Sequence, residues 1–414
     1  MVSRQAATEG MVLLKNDKNT LPFNKIKKVA LFGKTSYRFI CGGTGSGEVN
    51  YEYASTINEA FERYGYKVNP ALELIYKQFV DSIVSKAKPE DKKYSVDFQP
   101  ELALTKDQIN AQVKNSDIGI ITIGRNGGEG WDRTVENFYL SATEKQLIKD
   151  VTDAFHAANK KSIVILNIGG VITTADWRDI PDAILLAWQT GQEGANAIVE
   201  ILKGNVNPSG KLPMSFPMSY ADVPSSKTFP GEPAKNPVNA EYSEGIFVGY
   251  RYYETFKVPT AYEFGFGLSY TNFEFSNLQL SSKEFKDEMT VKVTVKNTGK
   301  TAGKEVVELY LHAPQPEIEK PEQELKAFAK TNLLKPGESQ EITLHLNTRD
   351  LASFRTDLSS WVADKGEYEI RIGASSNDIK LKAGFTLPAI VEVEKVHNVL
   401  YPNRPVNEMH IPTK

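Results

Sequence analysis

The spacing of apolar residues along this chain changes once, near Thr271, and the change restricts the fold to two kinds of layer in series. Upstream, short apolar runs at 28–33, 118–123, 162–167 and 183–188 alternate with helical patterns. Ile57, Phe61 and Tyr64 mark one side of a helix, and Ser141 three residues ahead of Glu144 forms a capping box for another. Residues 1–10 read as a further helix, as does the stretch that follows Gly194 as far as Leu202. Strands separated by helices of this length imply parallel βαβ units. Downstream the period becomes two. Residues 289–297 alternate apolar and polar, and 306–311, 340–346 and 368–372 repeat the pattern between Pro and Gly turns. Short alternating strands of that kind predict an antiparallel sandwich. The expected organisation is an α/β domain at 1–240, an aromatic-rich interdomain segment at 241–270, a β-sandwich at 271–390 and a connector at 391–414.

A chain of 414 residues with 40% hydrophobic and 24% charged residues can build cores for two or three domains. Its formal net charge of -3 speaks against a nucleic-acid footprint, which needs a basic surface, and favours neutral partners such as sugars. Cys41 is the single cysteine, which excludes an intrachain disulfide and a thiolate metal cluster. The 5 histidines, His156, His312, His345, His397 and His410, are dispersed and show no metal-ligand spacing. No apolar run reaches the length of a membrane span, and the first ten residues lack a signal-peptide core. A cytoplasmic location is the resulting expectation.

The chemistry concentrates in Gly124, Arg125, Asn126, Gly127, Gly128, Glu129, Gly130, Trp131, Asp132 and Arg133. This stretch follows the buried-strand pattern at 116–123, so Glu129 falls on a loop at the carboxyl end of a strand. Open parallel sheets present ligand sites at that edge. The surrounding glycines let the backbone take unusual angles and let a ligand come close. The plainer reading is a solvated turn in which Glu129 and Asp132 balance Arg125 and Arg133. A second glycine-rich loop at 42–47 carries hydroxyls on Thr44 and Ser46. It lacks the Lys-Ser/Thr ending of a phosphate loop and the full dinucleotide fingerprint, which disfavours a nucleotide enzyme. Cys41, beside that loop, suits a small buried apolar role. In the sandwich, Phe328, Phe354 and Trp361 are expected in core or interdomain packing rather than as a sugar platform.

Taken in order, several motifs resemble glycoside hydrolase family 3, the β-glucosidase and β-xylosidase group. They are the stretch from Glu9 to Asp17, the loop 42–47, the Gly127-Gly128-Glu129-Gly130-Trp131-Asp132-Arg133 motif, and residues 208–217 followed by 263–270. Asn297-Thr298-Gly299 and residues 303–307 resemble the family's fibronectin type III-like domain. The resemblance implies that Glu129 is the general acid/base of a retaining glycosidase, with Thr44, Ser46, Arg125, Trp131 and Arg133 as substrate-loop candidates. Trp131 and Arg133 also suit loop support, and Asp132 suits pairing with Arg133 or accepting loop N–H groups. Glu48 and Asn50 resemble members in which the α/β domain comes first, the fibronectin-like domain second and a (β/α)8 barrel last. The start at residue 1 and the connector at 391–414 fit that order.

The family's nucleophile is an aspartate on the barrel, and Asp176-Trp177 does not match its motif. Retaining hydrolysis needs two carboxyls about 5–5.5 Å apart. The implied protein therefore carries half of an active site for a β-linked glucoside or related oligosaccharide, completed by a barrel in a second chain or in a continuation of this one. No cofactor or metal is implied. Uncovered apolar surface would favour homo-oligomer formation. The alternative is a non-catalytic carbohydrate-binding or scaffold protein derived from the family.

Overall fold

A computed structural model describes residues 1–89, 92, 94–130, 132–397, 399 and 407–412. The chain divides into two compact units, one of residues 1–211 with 267–270, the other of residues 212–266 with those from 271 onward.

The first unit is built on a six-stranded sheet. Its strands are β1 (Val12–Asn16), β2 (Lys28–Phe32), β3 (Lys67–Val68), β4 (Ile118–Arg125), β5 (Lys161–Ile168) and β6 (Ala183–Leu186), in the order β1-β6-β5-β4-β2-β3. All are parallel except β1, which pairs antiparallel with β6 at one edge. In β4 and β5 only one terminal residue escapes full burial. Such strands have both faces covered, which is why they read as continuous apolar runs. The helices are α1 (Val2–Gly10), α2 (Ile57–Arg63), α3 (Pro70–Lys86), α4 (Lys106–Val113), α5 (Val135–Phe138), α6 (Ala142–Ala157) and α7 (Gly194–Lys203). The capping box of Ser141 and Glu144 opens α6, which packs on β4 and β5 through Leu147, Ile148, Val151 and Phe155. Each such buried side chain contributes roughly 1.5–3 kcal/mol. The periodicity had shown neither β1 nor α4.

Polar side chains fix the two ends of the sheet. At the amino end, Asp117 Oδ2 accepts from the N–H groups of Lys27 and Lys28 at 2.9 and 2.8 Å. At the carboxyl end, Asn167 Oδ1 accepts from Ile40 N at 2.8 Å, while its Nδ2 donates to Ile40 O and Trp188 O. One buried amide thus ties the exits of β2, β5 and β6.

The second unit is all-β in its core. Strands β7 (Phe216–Pro217) and β8 (Thr260–Tyr262) form a small pair, with α8 (Tyr250–Phe256) between them in sequence. The sandwich strands are β9 (Phe273–Leu280), β10 (Glu288–Asn297), β11 (Val306–His312), β12 (Glu324–Lys330), β13 (Ser339–Asn347), β14 (Ser353–Arg355), β15 (Ser360–Ala363), β16 (Gly366–Gly373) and β17 (Ile379–Leu387). A three-stranded sheet, β13-β10-β9, and a four-stranded sheet, β12-β11-β16-β17, share one apolar core. Val291, Val293 and Val295 alternate inward along β10, as a period of two requires. Tyr250 of the aromatic stretch packs within this unit: it meets Phe264 at 4.8 Å and Tyr310 of β11 at 5.8 Å, and its hydroxyl accepts from Leu325 N.

Phe354 and Trp361 pair edge to face, whereas Phe328 is 69% exposed on β12 rather than in the core. Residues 391–395, expected in the connector, form β18 (Val391–Lys395), which pairs with β15. Within that expected connector, residues 398, 400–406, 413 and 414 lie outside the described residues. No helix among the described residues is long and apolar enough to cross a membrane.

Candidate active site

The exits of β2 and β4 bring the two glycine-rich loops together at the carboxyl edge of the first unit's sheet. Two contacts between them reach the backbone of Glu129: its N–H donates to Thr44 O at 3.3 Å, and Thr44 Oγ1 donates to its carbonyl at 3.0 Å. The Glu129 carboxylate then turns toward Ser46, whose N–H donates to Oε2 at 2.9 Å. Thr44 is buried, while Ser46, Glu129 and Asp132 are exposed. The Ser46 backbone N–H first, and its hydroxyl second, hold the Glu129 carboxyl below the usual glutamate range.

The glycines make this fit possible. A Cβ on Gly43 would lie 2.4 Å from Gly127 O, and one on Gly128 only 2.3 Å from Thr44 N. Gly45 has φ +61, and a Cβ there would lie 2.5 Å from Glu129 Cβ. The close approach expected for a ligand is, at these positions, the approach of one loop to the other.

The arginines take a different part. Arg125, nearly buried at the end of β4, makes paired bonds to Glu144 at 2.6 and 2.7 Å and donates to the carbonyls of Gly124, Asn137 and Tyr139. Although burial pushes the Glu144 carboxyl up, the Arg125 bonds and charge hold it below its ordinary value. Arg133 donates to Asn137 Oδ1 at 2.8 Å, Asn137 O at 2.9 Å and Val171 O at 3.0 Å. Both guanidiniums converge on the carbonyl of Asn137 and brace the return of the loop. Trp131 lies outside the described residues.

Two supports had no signal in the sequence. Asn126 Nδ2 donates to Asp97 Oδ2 at 2.7 Å, and Gln189 Nε2 donates to Asn126 Oδ1 at 3.2 Å. They hold the first residue of the Glu129 loop between segments distant in sequence. Behind the 42–47 loop is a cavity of about 100 Å³, lined by Arg38, Cys41, Gly43, Tyr51, Asp97 and Asn126 among others. Pockets that enclose a small-molecule ligand measure roughly 300–1,000 Å³, so this one is too small to enclose a sugar. Burial pushes the Cys41 thiol up to about 11, which fits the inert apolar role.

Other acidic residues of this unit are engaged elsewhere. Asp117 caps the opposite edge of the sheet, Asp176 pairs with Lys145, and Glu193 accepts from Arg4, Tyr53 and Asn196. Trp177, beside Asp176, is buried and donates to Thr173 O at 2.9 Å.

The description "Glycosyl hydrolase family 3 C-terminal domain" matches residues 11–250, and "Fibronectin type III-like domain" matches residues 305–376. Beta-glucosidase A of Butyrivibrio fibrisolvens is 36% identical over 454 residues, covering 97% of this chain and 52% of its own length. Thermostable beta-glucosidase B of Acetivibrio thermocellus is 34% identical over 400 residues, covering 95% of this chain and 49% of its own. The solved structure of beta-glucosidase 3B from Thermotoga neapolitana in complex with alpha-D-glucose superposes with a TM-score of 0.88 at 45% identity. That match covers 94% of this chain and 54% of the other. The chain spans about half the length of the curated relatives it matches.

Proposed function

The chain belongs to glycosyl hydrolase family 3, and from that premise we propose that it supplies Glu129 as general acid/base to a β-glucosidase-like retaining site. The second carboxylate, the nucleophile, comes from a (β/α)8 barrel, in another chain or in a continuation of this one. The observation that carries the reading is the exposed Glu129 carboxylate, held on a braced loop at the ligand edge of the sheet while Asp176 and Glu193 pair with Lys145 and Arg4.

In the first step Glu129 donates its proton to the glycosidic oxygen as the nucleophile attacks the anomeric carbon. In the second, the Glu129 carboxylate takes a proton from water, which attacks the glycosyl-enzyme. The ionised form favoured by Ser46 serves the second step as it stands. The first step needs a higher proton affinity, which burial under a covering domain and the nucleophile's negative charge supply. Arg125 and Arg133 support the loop, and the substrate is a β-linked glucoside or related oligosaccharide.

The purified chain alone should hydrolyse aryl β-glucosides at background rate only. Robust turnover that survives repurification and is lost in Glu129→Gln would overturn the division of the site. With a family barrel supplied, Glu129→Ala should slow disaccharides far more than substrates with highly acidic leaving groups, because a good leaving group departs without protonation. The contrast should fall within about 10²–10⁴-fold, and azide should rescue the second step. Equal losses across leaving groups without azide rescue would reduce Glu129 to a binding or loop-shaping residue.

A further inference from the structure

The loop at 42–47 is the second motif singled out by the sequence, and the hydroxyls of Thr44 and Ser46 invite a sugar-contact role. The contacts assign them other work. Thr44 is 3% exposed, its hydroxyl is donated to Glu129 O, and its carbonyl accepts from Glu129 N. The backbone N–H of Ser46 donates to Glu129 Oε2, and its hydroxyl is a second partner of the same carboxyl. The 42–47 loop therefore grips residue 129 on three sides: its amide, its carbonyl and one carboxylate oxygen.

We propose that this loop is a positioning clamp for Glu129, with Thr44 fixing its backbone and the Ser46 N–H fixing its carboxylate. The inference rests on the proposed role of Glu129 but adds residues that act through it and touch no substrate. A carboxylate whose backbone is pinned and whose Oε2 is held by a fixed N–H keeps few orientations. Proton transfer requires the acid within hydrogen-bond reach of the leaving oxygen, and the clamp restricts the side chain to the orientations that meet that condition. It also favours the carboxylate over the acid, so the clamp assists the water-activating step more than the protonating one. The glycines belong to the same device: side chains at Gly43, Gly45 or Gly128 would collide with the opposite loop and drive Glu129 out of register.

The test uses Thr44→Val, which removes the hydroxyl at nearly constant shape, Thr44→Ser, which keeps it, and Ser46→Pro, which removes both the N–H donor and the hydroxyl of residue 46. The first readout is the carbon-13 titration of the Glu129 carboxyl in the full chain, after unfolding curves confirm a folded protein. Thr44→Val and Ser46→Pro should move the midpoint up toward that of an ordinary glutamate, and Thr44→Ser should hold it in place. The second readout is turnover with a family barrel supplied. Loss of one such bond should lower kcat by about 2- to 10-fold with KM nearly constant, shift the acid limb of the pH–rate profile upward, and be reversed in Thr44→Ser.

A midpoint unmoved in both variants would overturn the clamp, as would a rise in KM at constant kcat, which is the mark of direct sugar contact. If Thr44→Val does not fold, Ser46→Pro alone decides. The two proposals fail separately. A shifted midpoint with activity indifferent to Glu129→Gln removes the catalytic role and leaves the clamp. Activity that requires Glu129 with an unmoved midpoint does the reverse.

Discussion

Glu144 carries two structural tasks with one carboxylate. It closes the capping box at the start of α6 by accepting from Ser141 N at 2.8 Å, and it receives the forked guanidinium of Arg125. Both partners of that ion pair are nearly buried, so removing one charge strands the other in a poor medium. Glu144→Gln should therefore destabilise the first unit by about 3 kcal/mol, read from urea unfolding. Glu129→Gln, by contrast, changes an exposed side chain and should stay within roughly 0.5 kcal/mol of the parent. At this scale the sequence placed Glu129 on a loop after a buried strand, and the structure has it there, exposed at the carboxyl end of β4. The fit of the glycines of one loop against the other had no signal in the sequence. Which surface a glycine admits depends on what the fold brings opposite it, and residues 43 and 127 are neighbours only in space. Asp97 and Gln189 were invisible for the same reason.

Among the elements, one lysine anchors residues 96–101, which lie between α3 and α4. Lys34 is buried, and its ammonium donates to Val96 O at 2.8 Å and to Gln99 O. Glu101 returns the contact by accepting from Lys34 N at 3.1 Å and Leu102 N at 2.9 Å. Burial, offset in part by those N–H groups, pushes the Glu101 carboxyl from the ordinary 4.5 up to about 7. Between those values the folded chain keeps a proton that the unfolded chain has released. The associated stability is complete below 4.5 and is lost as pH rises through about 7. Glu101→Gln should remove that slope, worth on the order of 3 kcal/mol, in melting temperatures measured from pH 4.5 to 8. An unchanged slope would mean that Glu101 is ionised throughout. Elements such as β4, β5, β10 and β13 were legible because continuous burial and strict alternation leave plain patterns. Strands β1 and β12 were not, since β1 has only 5 residues and Phe328 breaks the alternation of β12. Helix α3 stops at Lys86, three residues ahead of Pro89.

For the whole molecule, two compact units with separate cores should unfold in separable transitions. Ile121 and Leu309 are each fully buried, one in each unit. Ile121→Ala and Leu309→Ala should each cost about 2–5 kcal/mol and should lower different transitions in calorimetry. A single transition lowered equally by both would make the chain one cooperative body. The order of an α/β domain followed by a sandwich was legible from the change of period. The proposal that a barrel completes the site rests on the motifs, because strand and helix periodicity carry no information about a nucleophile. The backbone fit between residues 42–47 and 127–130 has a bearing on heredity and engineering. Neither loop is a portable part. A graft that moves the Glu129 loop into another scaffold without its counterpart would deliver the residue and lose its aim, and a side chain introduced in one loop is tolerated only with a matching change in the other.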